Sequence, residues 1–250
     1  MSVATERRDG VFLIGLDRAE RRNALDSAMI TSLHQSLDDA AAEACVVIVH
    51  STTPGIFAAG ADIEELLERT SEHALRRINV DLFDRLERHR WPTIAAVDGP
   101  AMGAGCELAL ACDLRICSPR SRFAQPEASL GIVAGAGGNW RLAHLVGVAM
   151  ARRMLYLGEV VGADDALACG LADRVDEDPL ALSLRLAAEI GARSWRALEL
   201  TKLALAIDRP STTAFDVVAQ ALSFDSEEKR ERMQSFLDRR AAKGSRSGDA

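Results

Sequence analysis

Two glutamates stand where an ionised carboxylate is costly. Glu107 interrupts the small-residue run GPAMGAGCELALAC (residues 99–112), and Glu127 interrupts AQPEASLGI (residues 124–132). A buried carboxylate must be paired or used. Two carboxyls in one dry pocket separate in pKa, leaving one protonated and one ionised, which is equipment for moving a proton and activating water. The same residues would equally serve as capping or ion-paired side chains, with Arg115 or Arg122 as partners. Residue types alone leave both readings open.

The glycines beside Glu107 suggest a second element of chemistry. Small residues at a helix start leave backbone N–H groups uncovered, and the helix dipole adds positive potential there. Ala104, in the GAG triplet at 103–105, has that setting, and Ala61, in FAAGADI, has a similar one. Two such donors aimed at one point would hold a carbonyl oxygen that gains charge, a function worth roughly 3 kcal/mol per donor. Tight packing of each loop is the competing reading. Glu107 follows Ala104 by three residues, about one helical turn.

Other chemistries find no support. GAGCEL (103–108) and GAGGNW (135–140) each hold G-x-G, but Leu108 and Trp140 stand where a dinucleotide fingerprint needs a small residue, and no Walker lysine follows. The five histidines show no metal-ligand spacing, no H-E-x-x-H occurs, and G-x-S-x-G is absent, so no metal site is expected. A net charge of −7 argues against a nucleic-acid partner. The start MSVATERRDG lacks the apolar centre of a signal peptide, and no run of about 18 apolar residues indicates a membrane span. Five scattered cysteines without C-x-x-C read as reduced, mostly buried thiols of a cytoplasmic protein.

The elements that must position these residues follow from periodicity. VFLIGL (11–16), CVVIVH (45–50), TIAAV (93–97) and DLRIC (113–117) read as buried strands. Residues 27–43 carry apolar side chains on one helical face, residues 64–89 are helical with one break near Ser71, and a Gly-rich turn at 135 runs into another helix. Helical patterns dominate from 149 to about 240. Strands and helices alternate to about residue 147, which indicates an α/β core with a helical C-terminal part. The segment EEKRERMQSFLDRR (227–240) reads as an amphipathic helix that packs on a partner subunit. The final AAKGSRSGDA reads as a mobile tail.

Taken together, the motifs resemble the enoyl-CoA hydratase/isomerase (crotonase) family. LDRAERRNALD, FAAGADIEEL, PTIAAVDGPAMGAGCELALACDLRI, FAQPEASLGIVAGAGGNWRL, SWRALELTK and EEKRERMQSFLDRR match its blocks in order, over about residues 10–240. The resemblance implies a crotonase-like spiral of repeated β-β-α units at 1–195, a helical trimerisation region at 196–240, a tail at 241–250, and a homotrimer or homohexamer. It implies an acyl-CoA thioester substrate and no cofactor beyond the coenzyme A that the substrate carries. By position, Ala61 and Ala104 supply the oxyanion-hole N–H groups, and Glu107 and Glu127 are the catalytic pair of a hydratase. In that role Glu107 activates water for attack on C3 and Glu127 protonates C2. CoA contacts fall at Arg22, Ala24, Ala61, Asp62 and Ile63. Arg239 is either a contact from a neighbouring subunit or a solvated helix-end arginine. The alternatives are a Δ3,Δ2-enoyl-CoA isomerase or another acyl-CoA reaction on this scaffold, and, least favoured, an acyl-CoA-binding protein without activity. Departures from the family pattern are Glu64 in place of a CoA-contacting lysine, GAG in place of GGG, and Ala134, Asn139 and Trp140 in the fourth block, changes expected to touch the acyl pocket or its support.

Overall fold

A computed structural model describes residues 2–205, 217, 220, 221 and 224–246. Its centre is a six-stranded sheet in the order β1-β2-β3-β4-β6-β9. These strands are β1 (Val3–Arg8), β2 (Val11–Leu16), β3 (Val46–Ser51), β4 (Thr93–Val97), β6 (Leu114–Cys117) and β9 (Arg174–Val175). Only the β1–β2 pairing is antiparallel. A second sheet of three short strands, β5 (Pro100–Met102), β7 (Arg122–Ala124) and β8 (Val161–Gly162), runs beside it.

The parallel strands are apolar on both faces because both faces are covered. Phe12, Ile14 and Leu16 of β2 join the larger core with Val47, Val49, Ala95 and Val97. Val11 and Leu13 point the other way, with Val46, Ile48, Ile94 and Ile116, under helix α8 (Pro179–Gly191). The larger core is closed by α1 (Ser27–Ala41), α4 (Ile78–Glu87) and α5 (Ala104–Leu110). Asp26 caps α1 by accepting a hydrogen bond from Met29 N–H, which takes up one of the helix's orphan donors.

Several boundaries depart from the sequence reading. VFLIGL is preceded by β1, whose outward residues are exposed and charged; with no buried alternation, the strand leaves no hydrophobic signal. Residues 64–89 hold three helices rather than two: α2 (Ile63–Glu68), α3 (Ser71–Leu75) and α4. The break at Ser71 is present, and a second falls at Arg77, which takes a left-handed conformation with φ 56° that its residue type does not announce. The helix α6 (Gly138–Leu157) is bent where Gly147 adopts φ 73°. Helices α7 (Ala163–Cys169) and α9 (Trp195–Leu205) follow in the C-terminal half, interrupted by β8 and β9.

Helix α10 (Glu227–Arg246) runs six residues into the segment read as a tail, and the last four residues lie outside the described residues. It packs Met233 and the buried Lys229 against Leu66, Leu130 and Phe224 of its own chain. Lys229 Nζ donates to the carbonyls of Leu67 at 3.0 Å, Arg69 at 2.8 Å and Phe224 at 3.4 Å. A lysine cation thus satisfies the carbonyls at the C-terminal end of α2, where the helix dipole is negative. No helix among the described residues is long and apolar enough to cross a membrane. Cys45, Cys106, Cys112 and Cys117 are buried free thiols, and burial pushes all four above the ordinary thiol range.

Candidate active site

Ala61 and Ala104 are brought together by backbone pairing between short segments. A parallel bridge between Leu25 and Ala61 uses the Gly60 carbonyl and the Asp62 N–H. A second bridge joins Ala58 to Ala101, with Met102 N–H donating to the Ala58 carbonyl at 3.0 Å. The two segments lie so close that a Cβ on Gly60, itself at φ 111°, would fall 3.0 Å from the Met102 carbonyl and 3.9 Å from Ala104 N. Among the described residues, neither Ala61 N–H nor Ala104 N–H meets an acceptor. For Ala104, the first residue of α5, that is the ordinary fate of a helix-start donor.

Glu107 sits on α5, every residue of which is buried. Its Oε1 accepts from Ala136 N–H and Gly138 N–H, each at 2.9 Å. The GAGG turn at 135–138 is therefore a cradle for this carboxylate. Arg141 holds that turn: its Nη1 donates to the Ala136 carbonyl at 2.7 Å, while Nη2 pairs with Asp84 at 2.9 Å and Glu87 at 2.6 Å on α4. Neither ion-pair partner considered from the sequence reaches Glu107. Arg115 pairs with Asp173, and Arg122 donates to the carbonyls of Pro119 and Ser121.

Glu127 opens a short 3₁₀ turn, Glu127–Leu130, directly after β7. The parallel pairing of β5 with β7, continued by Gly103 N–H donating to the Ala124 carbonyl at 2.9 Å, sets it against the start of α5. A Cβ on Gly103 would fall 2.8 Å from Glu127 Oε1, so the glycine leaves the space that the carboxyl occupies. Burial, reinforced by the charge of Glu107, pushes the Glu127 pKa up to about 8. With its amide nitrogen turned toward Glu127, the buried Gln125 donates to both carboxyl oxygens at 3.1 Å. Gln125 and the Ala136 and Gly138 donors were not singled out by sequence, since a backbone N–H carries no residue signature.

Ala61, Ala104, Glu107 and Glu127 all line one cavity of about 760 Å³, counting its open mouth. Ile63 lines it too, whereas Arg22, Ala24, Asp62 and Arg239 do not. Arg22 is exposed in a left-handed conformation at φ 52°. Asp62 is committed inside the protein: it caps α2 and pairs with Arg18 at 2.9 Å, interactions that outweigh burial and hold its pKa below the usual range. Arg239 lies on the exposed face of α10. Of the departures in the fourth block, Ala134 is buried under Gly138, and Trp140 stacks against Arg141 at 4.6 Å; neither they nor Asn139 line the cavity. Ala134 and Trp140 pack against Gly138 and Gly137 of the turn that cradles Glu107.

A buried carboxylate in a cradle, a carboxyl whose pKa is raised to about 8 and two free N–H donors around one cavity form a site that can polarise a carbonyl and move a proton beside it. The enoyl-CoA hydratase/isomerase family profile matches residues 6–244. The chain belongs to the enoyl-CoA hydratase/isomerase family. Among its relatives in this family, the 2,3-dehydroadipyl-CoA hydratase of Escherichia coli is 36% identical, with 94% of each chain covered. The short-chain-enoyl-CoA hydratase of Clostridium acetobutylicum is 33% identical, with 97% of each covered. Solved structures of the enoyl-CoA hydratase/isomerase fold agree. An enoyl-CoA hydratase from Bacillus anthracis superimposes with a TM-score of 0.79 at 29% identity, covering 96% of this chain and 97% of that one. Pseudomonas aeruginosa OdaA does so with 0.87 at 27% identity, covering 94% and 98%.

Proposed function

We propose that this protein is an enoyl-CoA hydratase that adds water across the 2,3 double bond of a 2-enoyl-CoA to give the 3-hydroxyacyl-CoA. The observation that carries the reading is the pair Glu107 and Glu127, held in different environments and lining one cavity with Ala61 and Ala104, whose N–H groups are free.

In this reading the thioester oxygen accepts from both N–H groups, which draws electron density from the double bond. Glu107 takes a proton from water as the water oxygen bonds to C3. The electrons of the double bond pass to the thioester enolate, Glu127 gives a proton to C2, and the cycle closes when Glu107 releases its new proton to solvent and Glu127 takes one up. Water and thioester balance the equation, so the step calls for no metal or redox cofactor. Glu107 suits the ionised role because two N–H donors stabilise a negative charge at Oε1. Glu127 suits the acid role because it holds its proton to about pH 8.

The same reading assigns CoA contacts to Arg22, Ala24, Asp62 and Ile63, and to Arg239 across a subunit boundary in a homotrimer or homohexamer. The exposed apolar side chains Tyr156, Leu157 and Leu203 support burial against another copy. Buried free thiols fit the reducing cytoplasm.

The test is product analysis with a panel of 2-enoyl- and 3-enoyl-CoA thioesters. Loss of enoyl-thioester absorbance with formation of 3-hydroxyacyl-CoA is expected. Turnover of 3-enoyl substrates alone would assign the isomerase reaction instead, and tight binding without turnover would assign a binding protein.

A further inference from the structure

The cavity is also lined by basic residues that the hydration chemistry leaves unused. Arg69, His73 and Arg77, which follow α2 in the chain, line it. Arg77 is spent on Asp81 at 2.8 Å and Asp84 at 3.2 Å. Arg69 is not so spent. Its Nη2 is buried and has no hydrogen-bond partner. Its ion-pair partner, Glu65, stands 3.6 Å away, too far for a hydrogen bond, and both Glu65 oxygens already accept from Ser27. Arg69 Nη1 reaches Asn79 Oδ1 only at 3.4 Å. Burial, against the smaller opposing pull of Glu65, draws the Arg69 pKa below its ordinary value.

His73 adds a second donor. Its Nδ1 accepts from Thr70 N–H at 3.1 Å, which places the proton of the neutral ring on Nε2. Among the described residues that Nε2–H has no acceptor. A buried guanidinium facing hydrocarbon is unfavourable, whereas one facing a carboxylate gains a paired, fork-shaped contact. Ala61 and Ala104 line this same cavity together with Ile63, while Arg22, Ala24 and Asp62, also assigned to CoA, lie outside it. With the thioester at Ala61 and Ala104 and most of the CoA contacts outside, the cavity receives the acyl chain.

We propose that Arg69 and His73 bind a carboxylate at the far end of the acyl chain, so that the preferred substrate is an ω-carboxylated 2-enoyl-CoA rather than a methyl-terminated one. This rests on the hydratase reading above. Here Arg69 and His73 are specificity residues and the acid–base step is unchanged.

The test compares kcat/KM for 2-enoyl-CoAs of matched chain length ending in a carboxylate or a methyl group. The wild-type protein is expected to favour the carboxylate by about tenfold or more, the scale of one buried polar contact. Arg69→Met is expected to lower that ratio by about tenfold or more, chiefly through KM. His73→Leu is expected to lower it less, and it serves as the second variant if Arg69→Met does not fold. Calorimetric binding of the saturated ω-carboxyacyl-CoA and its methyl-ended counterpart separates this proposal from the reaction assignment. Tighter carboxylate binding without turnover of any enoyl ester would sink the hydratase reading and keep this one. Equal or better use of the methyl-ended substrate by the wild type overturns the proposal. So does an Arg69→Met variant that weakens both substrates alike, which would assign the cation to CoA phosphates or to folding.

Discussion

Glu127 keeps its proton to about pH 8 because it is buried beside the negative charge of Glu107. The two acids share a cavity and differ in support. Glu107 accepts from two backbone N–H groups of the 135–138 turn, while Glu127 lies in space vacated by Gly103. That difference suits the two acids to the base and acid roles of the proposed hydration.

Replacing either acid removes a proton carrier while keeping its shape. Glu107→Gln and Glu127→Gln are each expected to lower kcat for hydration roughly 10²–10⁴-fold with much smaller changes in substrate binding. Steady-state kinetics on crotonyl-CoA, with CoA-ester binding measured in parallel, checks this. A variant that keeps full rate removes that residue from the mechanism.

The raised pKa of Glu127 sets the pH profile. The hydration rate depends on the protonated acid, so kcat/KM should fall as pH rises through about 8, with the loss of one proton. Stability follows the same group. Below its ordinary value near 4.5 both folded and unfolded states hold the proton, so the group adds nothing to the pH dependence. Between 4.5 and about 8 the folded state keeps a proton that the unfolded chain has released. Stability from this group therefore declines as pH rises across that window. Denaturant titrations at several pH values should show that slope, and Glu127→Gln should flatten it.

The glycine in the Glu107 cradle is a geometric requirement. A Cβ at Gly138 would stand 2.9 Å from Glu107 Oε1 and 2.8 Å from the Ala134 Cβ. Gly138→Ala should displace the carboxylate and lower kcat about tenfold to 10²-fold, since misplacement by an ångström has that effect on a positioned group. A normal thermal melt alongside the lost rate would localise the damage to the site.

Lys229 holds helix α10 against the end of α2 through the carbonyls of Leu67 and Arg69, and also donates to that of Phe224. Lys229→Met keeps the aliphatic bulk and strands those carbonyls, at a cost of roughly 1–3 kcal/mol. For a chain of this size Tm should drop about 2–4 °C for each kcal/mol. Hydrogen exchange should rise first in α10 and at the end of α2. Uniform loss of protection across the sheet would contradict the local role.

Much of this protein is written in its residue order. Continuous apolar runs mark VFLIGL and TIAAV as strands buried on both faces, and they are β2 and β4 with unchanged limits. The acids at 107 and 127 are conspicuous because each lies in an apolar stretch. Strand β1 is not legible, because an exposed edge strand such as TERR has no face to bury. The left-handed break at Arg77 is equally silent, because an arginine side chain does not announce a positive φ.

Tertiary structure alone decided what surrounds the acids. Glu107 is held by N–H groups about thirty residues away along the chain, and Ala61 meets Ala104 only through bridges at Leu25 and Ala101. Backbone donors look alike in every residue, so no composition or period announces which of them converge. Arg69 shows the same limit from the other side. By sequence it is one more charged residue on a helical segment, and only packing that buries its Nη2 without a hydrogen bond, 3.6 Å from Glu65, makes it part of a cavity wall.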